Sequence, residues 1–327
     1  MPGQQTVSPT LSKSASKSAH WSNSDGGTAF PLDLRIGPYR LAEVDLLVTI
    51  MDLGPTVIAD EDVDVRSLPS DRALFLRSAP ERLAVEVSSI AEPMLVYRFY
   101  HYDRSWVATD GGFDSYFSSF SRTSRKGLTR RIKKLTALSS GRLDIRRFDR
   151  SDSMRAFNSD ARAVSAKTFQ ERLMDDGLPA DEAFLDTMMH LASCGRCYGS
   201  ILYLDGLPIS YLYCERQGLG WLAAYGGFDP AYAGLSPGTV HLLSVLEESF
   251  NDQDTAFFDF GPGQSDYKQF FSTHDVPCSD VLILDKTWRN RLVIETHRRL
   301  RFLTETCINL ADTFRLKEHI RRKIRGR

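Results

Sequence analysis

Two stretches of the sequence carry residues whose types and spacing suit binding and chemistry. The first runs from Gly220 to Phe250, where an apolar strand passes through a Gly/Asp/Pro/Tyr loop into a helix that starts at Ser236. Ser236 suits the N-cap, and Pro237 suits the first helical position, where its missing N–H costs nothing. Gly238 leaves the first turn bare, so the unpaired N–H groups of the helix start can face a ligand. The spacing predicts an anion site at the end of a strand, with an ordinary capped helix as the alternative.

The second stretch is FFDFGPGQSDYK at residues 257–268. It places Asp259 in an otherwise aromatic strand that ends in a Gly-rich loop. A carboxylate there is partly desolvated, which suits a general base that acts directly or through water. The alternatives are that Asp259 caps the loop or pairs with Lys268, a residue that could equally hold an acceptor carboxylate or a phosphate. Tyr267 falls on the next short helix, where a packed aromatic ring is one interpretation.

A basic segment precedes both stretches. Seven cationic residues lie between Arg122 and Lys134, and Leu128, Ile132 and Leu135 share one helical stripe. This pattern is typical of an amphipathic helix with a solvated face. The alternative is a helix that faces the phosphates of a nucleotide or of a tRNA.

Composition limits the class of protein. The 41 Lys and Arg against 42 Asp and Glu leave no overall field that would draw the chain to nucleic acid or membrane. Five cysteines, an odd and scattered set, indicate reduced thiols in a cytoplasmic protein, and neither a membrane span nor a secretory signal is apparent. Cys194 and Cys197 imitate zinc spacing, but no second ligand pair follows, so we expect no metal.

Five segments can be distinguished by composition and periodicity. The first is a Ser-rich disordered tail, and the second is strand-rich without chemical motifs and includes separate strands at Tyr39–Leu41 and Leu46–Leu53. A basic connecting helix, a regular α/β segment and a basic helical tail follow. The predicted bounds are 1–29, 30–112, 113–140, 141–287 and 288–327.

The regular segment predicts a mixed sheet with one tight hairpin, and the tail predicts a basic helix. From residue 141 the order is strand, helix, helix, three-strand meander, helix, strand, helix, strand, which indicates a mixed sheet. Asp205-Gly206 marks a two-residue hairpin turn within the meander. The tail carries twelve Lys or Arg against four acidic residues. It either packs with a solvated basic end or recruits the protein to an anionic membrane surface or an acidic partner.

The order of these elements and four of their motifs resemble the GNAT acyltransferase superfamily. Within it the likeness is to the FemAB-like branch that includes the CelD/BcsL-type proteins of bacterial cellulose gene clusters. The matching stretches are FDSYFSSFSRTSRKGLTRRIKKL, LYLDGLPIS, YGGFDPAYAGLSPGTVHLL and FFDFGPGQSDYKQFF, within residues 113–284. The resemblance implies an α/β fold with a GNAT-like mixed sheet flanked by helices. It further implies two tandem GNAT-like domains, of which the N-terminal one is degenerate, followed by the basic C-terminal helices.

The resemblance also implies a donor site between two splayed strands, 220–227 and 256–261. Acyl-CoA, or the phosphopantetheine thioester of an acyl carrier protein, would lie between them, with its amides bonded to the backbone of Ala224, Tyr225 and Gly226. The pyrophosphate would sit on the helix start, formed by Leu235, Ser236, Gly238, Thr239 and Val240. His241 would be either a further cofactor contact or a structural residue. Tyr267 would protonate the leaving thiolate, beside Asp259 and Lys268.

The resemblance favours an N-acyltransferase that moves an acyl group to an amine of a sugar, amino acid or peptide. The usual superfamily signature, Gln or Arg followed by x-x-Gly-x-Gly/Ala, is absent, and LSPGTV is the variant typical of the FemAB-like branch. FemAB proteins use aminoacyl-tRNA, so a tRNA-dependent peptide-bond former is the second hypothesis. A non-catalytic subunit of a polysaccharide biosynthesis system is the third.

Overall fold

The computed structural model describes residues 27–37, 39–58, 68, 73–90, 94–168, 177–263 and 265–313. The strands in this part of the chain are β1 Thr28–Ile36, β2 Tyr39–Asp52, β3 Leu74–Pro80, β4 Leu95–Ala108, β5 Asp144–Phe148, β6 Cys197–Leu204, β7 Leu207–Gln217, β8 Gly220–Phe228, β9 Phe257–Asp259 and β10 His274–Leu284. The α-helices are α1 Gly54–Ile58, α2 Glu81–Ile90, α3 Phe113–Ser119, α4 Arg122–Leu138, α5 Met154–Ser165, α6 Glu182–Ser193, α7 Pro237–Asn251, α8 Asp266–Phe271 and α9 Trp288–Thr313. Two 3₁₀ turns cover Ser151–Ser153 and Pro230–Leu235.

The strands form one mixed sheet in the order β1-β2-β3-β10-β4-β9-β8-β7-β6-β5. Two neighbouring pairs, β2 with β3 and β8 with β9, are parallel, and the remaining neighbours are antiparallel. Parallel strands need a crossover, and in each pair a helix lies between the two strands in sequence. The prediction of a GNAT-like mixed sheet flanked by helices is confirmed.

The same succession of elements occurs twice along the chain. An antiparallel pair, a helix, a parallel strand, a short helix and a last strand occur in turn as β1-β2-α1-β3-α2-β4 and as β7-β8-α7-β9-α8-β10. The last strands are exchanged, because β4 pairs with β9 of the later half and β10 pairs with β3 of the earlier half. The sheet is therefore continuous across residue 112, and β10 lies among the strands of the earlier half.

Helices cover both faces of the later half of the sheet. On one face α5 and α6 bury Phe157, Met188 and their neighbours against alternate residues of β6 and β7, such as Ile201 and Tyr213. On the other face α3, α4 and α7 pack against the remaining alternate residues, among them Trp221. This alternation follows from the two-residue repeat of a strand. Helices on both faces therefore hold β8 in place, and β8 in turn positions the candidate site at its C-terminal end.

Several local predictions can be compared with the structure. The Asp205-Gly206 turn is confirmed, since both residues have positive φ, 51° and 78°, as the favoured two-residue hairpin turn requires. The residues predicted as strand at Tyr39–Leu41 and Leu46–Leu53 lie in β2 up to Asp52, but the predicted turn between them is wrong, because β1 pairs along β2 and makes it one strand.

The connecting segment is also divided differently. It consists of α3 and α4 with a break at Phe120, where Ser121 caps α4 by accepting the N–H of Ser124 at 3.1 Å. The apolar stripe of α4 is confirmed, since Leu128 and Leu135 are buried.

The ends of the chain are described in part. Most of the predicted tail, residues 1–26, lies outside the described residues, and β1 begins at Thr28. At the other end, α9 packs on β1, and residues 314–327 lie outside the described part. None of the helices in the described ranges has the length and apolar character needed to cross a bilayer.

Candidate active site at the opening between two parallel strands

The sheet opens between β8 and β9. Their parallel register covers three residue pairs and ends where Leu222 faces Asp259. Beyond that point β8 continues to Phe228, while the chain after β9 follows β4 instead, with the Phe260 N–H donating to the Ser105 carbonyl at 3.1 Å. The two strands therefore diverge, and the opening lies at the C-terminal end of both.

A β-bulge interrupts β8 at the mouth of this opening. Tyr213 of β7 pairs with Tyr225 and the next residue of β7, Cys214, pairs with Ala223, so Ala224 is the extra residue. A bulge leaves the extra residue outside the regular ladder and redirects the backbone beside it. The side chain of Tyr225 points into the core, edge-on to Phe184 at 5.5 Å between ring centroids. What β8 offers the opening is therefore backbone, as the prediction for Ala224, Tyr225 and Gly226 requires.

The helix start of α7 closes one end of the site. The helix begins at Pro237 as predicted, and Ser236 is the N-cap residue with φ 53° and ψ 50°, a left-handed conformation that is strained for serine. Its side chain makes no capping hydrogen bond. The N–H of Val240 donates to the Ser236 carbonyl at 3.2 Å, so Gly238 and Thr239 supply the first-turn N–H groups that have no intrahelical acceptor.

Gly238 leaves little room for a side chain. A Cβ at this position would meet Cδ1 of Phe228, the last residue of β8, at 3.0 Å. The strand end and the first turn of α7 are therefore in close contact, and a side chain at residue 238 would fill the space in front of the helix start.

The basic helix α4 reaches the same region. Its Lys134 donates from Nζ to the Gly234 carbonyl at 3.0 Å, in the 3₁₀ turn that precedes α7. Cationic residues nearer the N-terminus of α4, including Lys126 and Arg130, are exposed. The solvated face of α4 is therefore observed, and its Lys134 end lies beside the α7 helix start. A contact between α4 and phosphates stays a prediction.

Asp259 lies at the base of the opening in a fully buried ion pair. Its Oδ2 accepts from Arg104 Nη2 at 2.5 Å and from Nε at 3.2 Å, and neither side chain is exposed to solvent. Its Oδ1 accepts the Gly261 N–H at 2.8 Å. Asp259 therefore caps the Gly-rich loop, as one alternative held, and its ion-pair partner is Arg104 rather than Lys268. A carboxylate held by a guanidinium on one oxygen and by the backbone on the other is poorly placed to collect a proton from an amine.

Sequence reasoning missed the network behind this pair. Arg104 also donates to Ser78 Oγ at 2.6 Å and to Asp52 Oδ1 at 3.2 Å, and its guanidinium packs on Gly54, where a Cβ would collide with it. Burial alone would lower the pKa of Arg104, but Asp259 and Asp52 raise it overall. The acids lie 52 and 155 residues from Arg104, and a single sequence gives no signal that joins them.

The network continues toward β10. Tyr102 donates its hydroxyl to Asp280 Oδ1 at 2.7 Å, and the Ser78 N–H donates to the same oxygen at 3.1 Å. Burial raises the pKa of Asp280 to about 6. Ser78 has φ 57°, which is uncommon for serine, and this conformation turns both its N–H and its hydroxyl into the network. The polar network joins β3, β4, β9 and β10, and so links both halves of the sheet directly beneath the site.

Tyr267 and Lys268 begin the short helix α8. Tyr267 is 48% exposed as a residue, yet burial around its hydroxyl raises its pKa to about 12. The hydroxyl therefore keeps its proton at neutral pH and can donate it. Lys268 is 8% exposed and donates from Nζ to the carbonyls of Gly261 and Pro262, at 3.0 and 2.7 Å. Lys268 thus fastens the Gly-rich loop from one side while Asp259 fastens it from the other.

His241 is a structural residue. It is fully buried, with Ser200 Oγ 2.8 Å from Nε2 and Ser210 Oγ 3.1 Å from Nδ1. Burial lowers its pKa to about 3. Both ring nitrogens face the sheet and already have partners, so the structure corrects the cofactor-contact alternative for His241. The side chain of Val240 is likewise buried.

Three structural features lie at this end of the sheet. Beyond Leu222 the backbone of β8 has no strand neighbour on its β9 side, the first-turn N–H groups of α7 have no intrahelical acceptor, and Tyr267 packs edge-on against Phe260 in the chain that follows β9. These groups suit an extended ligand that carries amides and phosphates and that releases an anion near Tyr267.

A family model described as an acetyltransferase (GNAT) domain matches residues 122–269. The matched region runs from the start of α4 into α8 and contains β8, α7 and β9. The resemblance to the GNAT superfamily seen in the motifs is confirmed by this match, which covers somewhat less than half of the chain. No curated protein shows detectable similarity to the sequence.

Solved structures of related architecture add three neighbours. FemX has a TM-score of 0.49 and 11% identity, over 80% of this chain and 89% of that one. The C-terminal domain of a putative lysylphosphatidylglycerol synthetase from Agrobacterium fabrum has a TM-score of 0.46 and 10% identity, over 70% and 72%. L-PGS from Bacillus licheniformis has a TM-score of 0.44 and 12% identity, over 70% and 73%. Likeness at this level does not define a donor or an acceptor.

Proposed function

We propose that the protein is an N-acyltransferase that moves an acyl group from a CoA or carrier-protein thioester to a primary amine. The observation that carries this proposal is the divergence of β8 from β9 directly in front of the α7 helix start, within the GNAT domain. A phosphopantetheine arm is extended and carries two amides, and strand backbone that lacks a neighbour can pair with them.

Each part of the site has a proposed role. The backbone of Ala224, Tyr225 and Gly226 would bond the pantetheine amides. The N–H groups of Gly238 and Thr239, with the Ser236 hydroxyl and the neighbouring Leu235 backbone, would bind the pyrophosphate. An anion at this position gains from the dipole of α7 as well as from the N–H groups.

The reaction forms a C–N bond and breaks a C–S bond. The neutral amine attacks the thioester carbonyl, the tetrahedral oxyanion needs a donor, and the redirected backbone at the Ala224 bulge is the proposed donor. The thiolate leaves as the C–S bond breaks and takes a proton from Tyr267. The proton lost by the attacking nitrogen, passed on through water, restores the Tyr267 hydroxyl, so amine and thioester become amide and thiol. Asp259 and Lys268 are assigned a positioning role, because both hold the Gly-rich loop on which the opposite wall depends.

The same geometry accommodates a different donor. The exposed cations of α4 favour a tRNA acceptor arm over a small molecule if they lie along the donor's path. This makes an aminoacyl-tRNA-dependent transferase the second candidate, and the amine acceptor is common to both.

A transfer assay tests the proposal. Acyl-CoA thioesters of increasing chain length are incubated with the protein and a panel of amino sugars, amino acids and short peptides, and free thiol is measured. We expect thiol release that depends on both the thioester and an amine. Release with none of the pairs, combined with thermal stabilisation by charged tRNA alone, would replace the first candidate by the second. No effect of any thioester or tRNA would support a non-catalytic subunit.

A further inference from the structure

The C-terminal helix α9 is packed on one side only. Ile294 and His297, 6% and 3% exposed, contact the sheet. His297 Nδ1 lies 2.7 Å from the Tyr97 hydroxyl, and the Gly37 N–H donates to Thr304 Oγ1 at 3.0 Å. These contacts fix the rotation of the helix and thereby determine which residues face outward.

The outward side of α9 carries large apolar residues. We call the following four residues the outer stripe: Trp288 at 79% exposure, Leu292 at 59%, Phe302 at 67% and Leu303 at 48%. Leu292 lies four positions after Trp288 and Leu303 lies eleven after Leu292, so these three residues are close to one line of the helix, and Phe302 lies about 40° to the other side of Trp288. The stripe extends over about 22 Å at about 1.5 Å per residue. A stripe of this length that contains a tryptophan and a phenylalanine indicates an interaction surface.

Charged residues lie both within and beside the stripe, since Arg299, eleven positions after Trp288, falls on the stripe's own line. Glu295 is shared by Arg298 and Arg299, at 3.1 and 2.8 Å. Arg289 and Arg291 are exposed, and neither forms an ion pair within the described residues. In the sequence, residues 314–327 add seven Lys or Arg and one Glu. Apolar side chains bordered by arginine are the pattern of a helix that lies in the interface of an anionic bilayer.

We propose that α9 binds an anionic lipid surface, with the outer stripe inserted at the level of the headgroups. A second copy of the chain fits less well, because a two-fold symmetric pairing of α9 would set the arginines of one copy near those of the other. A lipid surface instead supplies opposite charge to the arginines and an apolar layer to the stripe. Tryptophan is favoured at this depth because its ring is amphipathic.

Vesicle sedimentation with the full chain tests the proposal. The probes are phosphatidylcholine vesicles with and without about 30 mol% phosphatidylserine. We expect binding to the anionic vesicles at least about tenfold stronger than to the neutral ones, and weaker binding as salt rises. In a Trp21→Phe background, a blue shift of tryptophan emission should accompany binding and be absent when Trp288→Phe is added, because Trp106 and Trp221 are already buried at 8% and 7% exposure.

Matched variants separate the stripe from general surface effects. Phe302→Ser combined with Leu292→Ser should lower vesicle affinity about tenfold or more, whereas Leu219→Ser, at a 68% exposed residue in the β7–β8 turn, should leave it unchanged. Arg291→Glu should lower the affinity, and Arg150→Glu should not. Because these residues are exposed, the melting temperature should change little. Equal binding to neutral and anionic vesicles, or a dimer in sedimentation velocity that the stripe variant abolishes, would overturn the proposal.

Discussion

The buried ion pair beneath the site gives the most demanding prediction for the fold. Arg104→Met removes the guanidinium while keeping much of the side-chain volume, and it leaves the Asp259 carboxylate without its cation in a place that water does not reach. Breaking a buried pair by removing one partner costs about 3–5 kcal/mol, because the remaining charge is uncompensated. We expect a loss of free energy of unfolding in that range. The Gly-rich loop should loosen as well, since Asp259 also holds the Gly261 N–H.

The assay is urea unfolding, at one pH, of Arg104→Met, Asp259→Asn, the double variant and a control. Arg104→Met alone should show the full loss, and adding Asp259→Asn should recover part of it, because the neutral amide no longer needs a cation. The coupling between the two changes should be about 1–3 kcal/mol. Arg150→Met is the control: its ion pair with Asp152 is exposed, and such pairs contribute about 0–1 kcal/mol. A cost below about 1 kcal/mol for Arg104→Met, or no recovery in the double variant, would refute the reasoning.

Two further predictions concern protonation. Tyr267→Phe should lower the transfer rate about 10²–10⁴-fold without a comparable change in donor affinity, measured as single-turnover rate and titration. Because the pKa of Tyr267 is raised to about 12, its donor form persists from neutral to mildly alkaline pH, and a rate lost near pH 8 would contradict the assignment. Burial lowers the pKa of His241 to about 3 in the folded protein, whereas the same imidazole has a pKa of about 6.5 in the unfolded chain. Below about pH 6.5 the unfolded chain therefore binds a proton that the folded protein does not, and the free energy of unfolding falls as the pH drops. In urea unfolding from pH 6 to 4, His241→Asn should reduce this slope by about 1.4 kcal/mol per pH unit, and an unchanged slope would contradict the buried neutral ring.

Much of the later half of the fold could be predicted because its signals are local. The start of α7 follows from Ser236 and Pro237, and the hairpin follows from Asp205 and Gly206, since each depends on the conformation of neighbouring residues. The helix start with its first-turn N–H groups could be predicted for the same reason.

The rest could not be predicted because it depends on contacts between distant parts of the chain. Both β4 and β10 are strands that could pair with β3 or with β9, and no turn or helix cap in the sequence indicates that β10 pairs with β3 and β4 with β9. Asp259 is buried, as expected of a general base. It is instead the ion-pair partner of Arg104, a residue 155 positions away that the sequence does not connect with it. His241 looked like a ligand contact at the start of a helix, but the rotation of α7 turns it onto the hydroxyls of β6 and β7.

Calorimetric titration of CoA is the most direct measurement of the central claim, that the α7 helix start binds the phosphates of a thioester donor. The comparison is between the unaltered protein, Gly238→Leu and the control Gly111→Leu, where an added Cβ would meet nothing within 4 Å. We expect saturable binding to the unaltered protein and to the control, and affinity reduced about tenfold or more in Gly238→Leu, because the new side chain crowds the first-turn N–H groups. Equal affinity in all three proteins would contradict it.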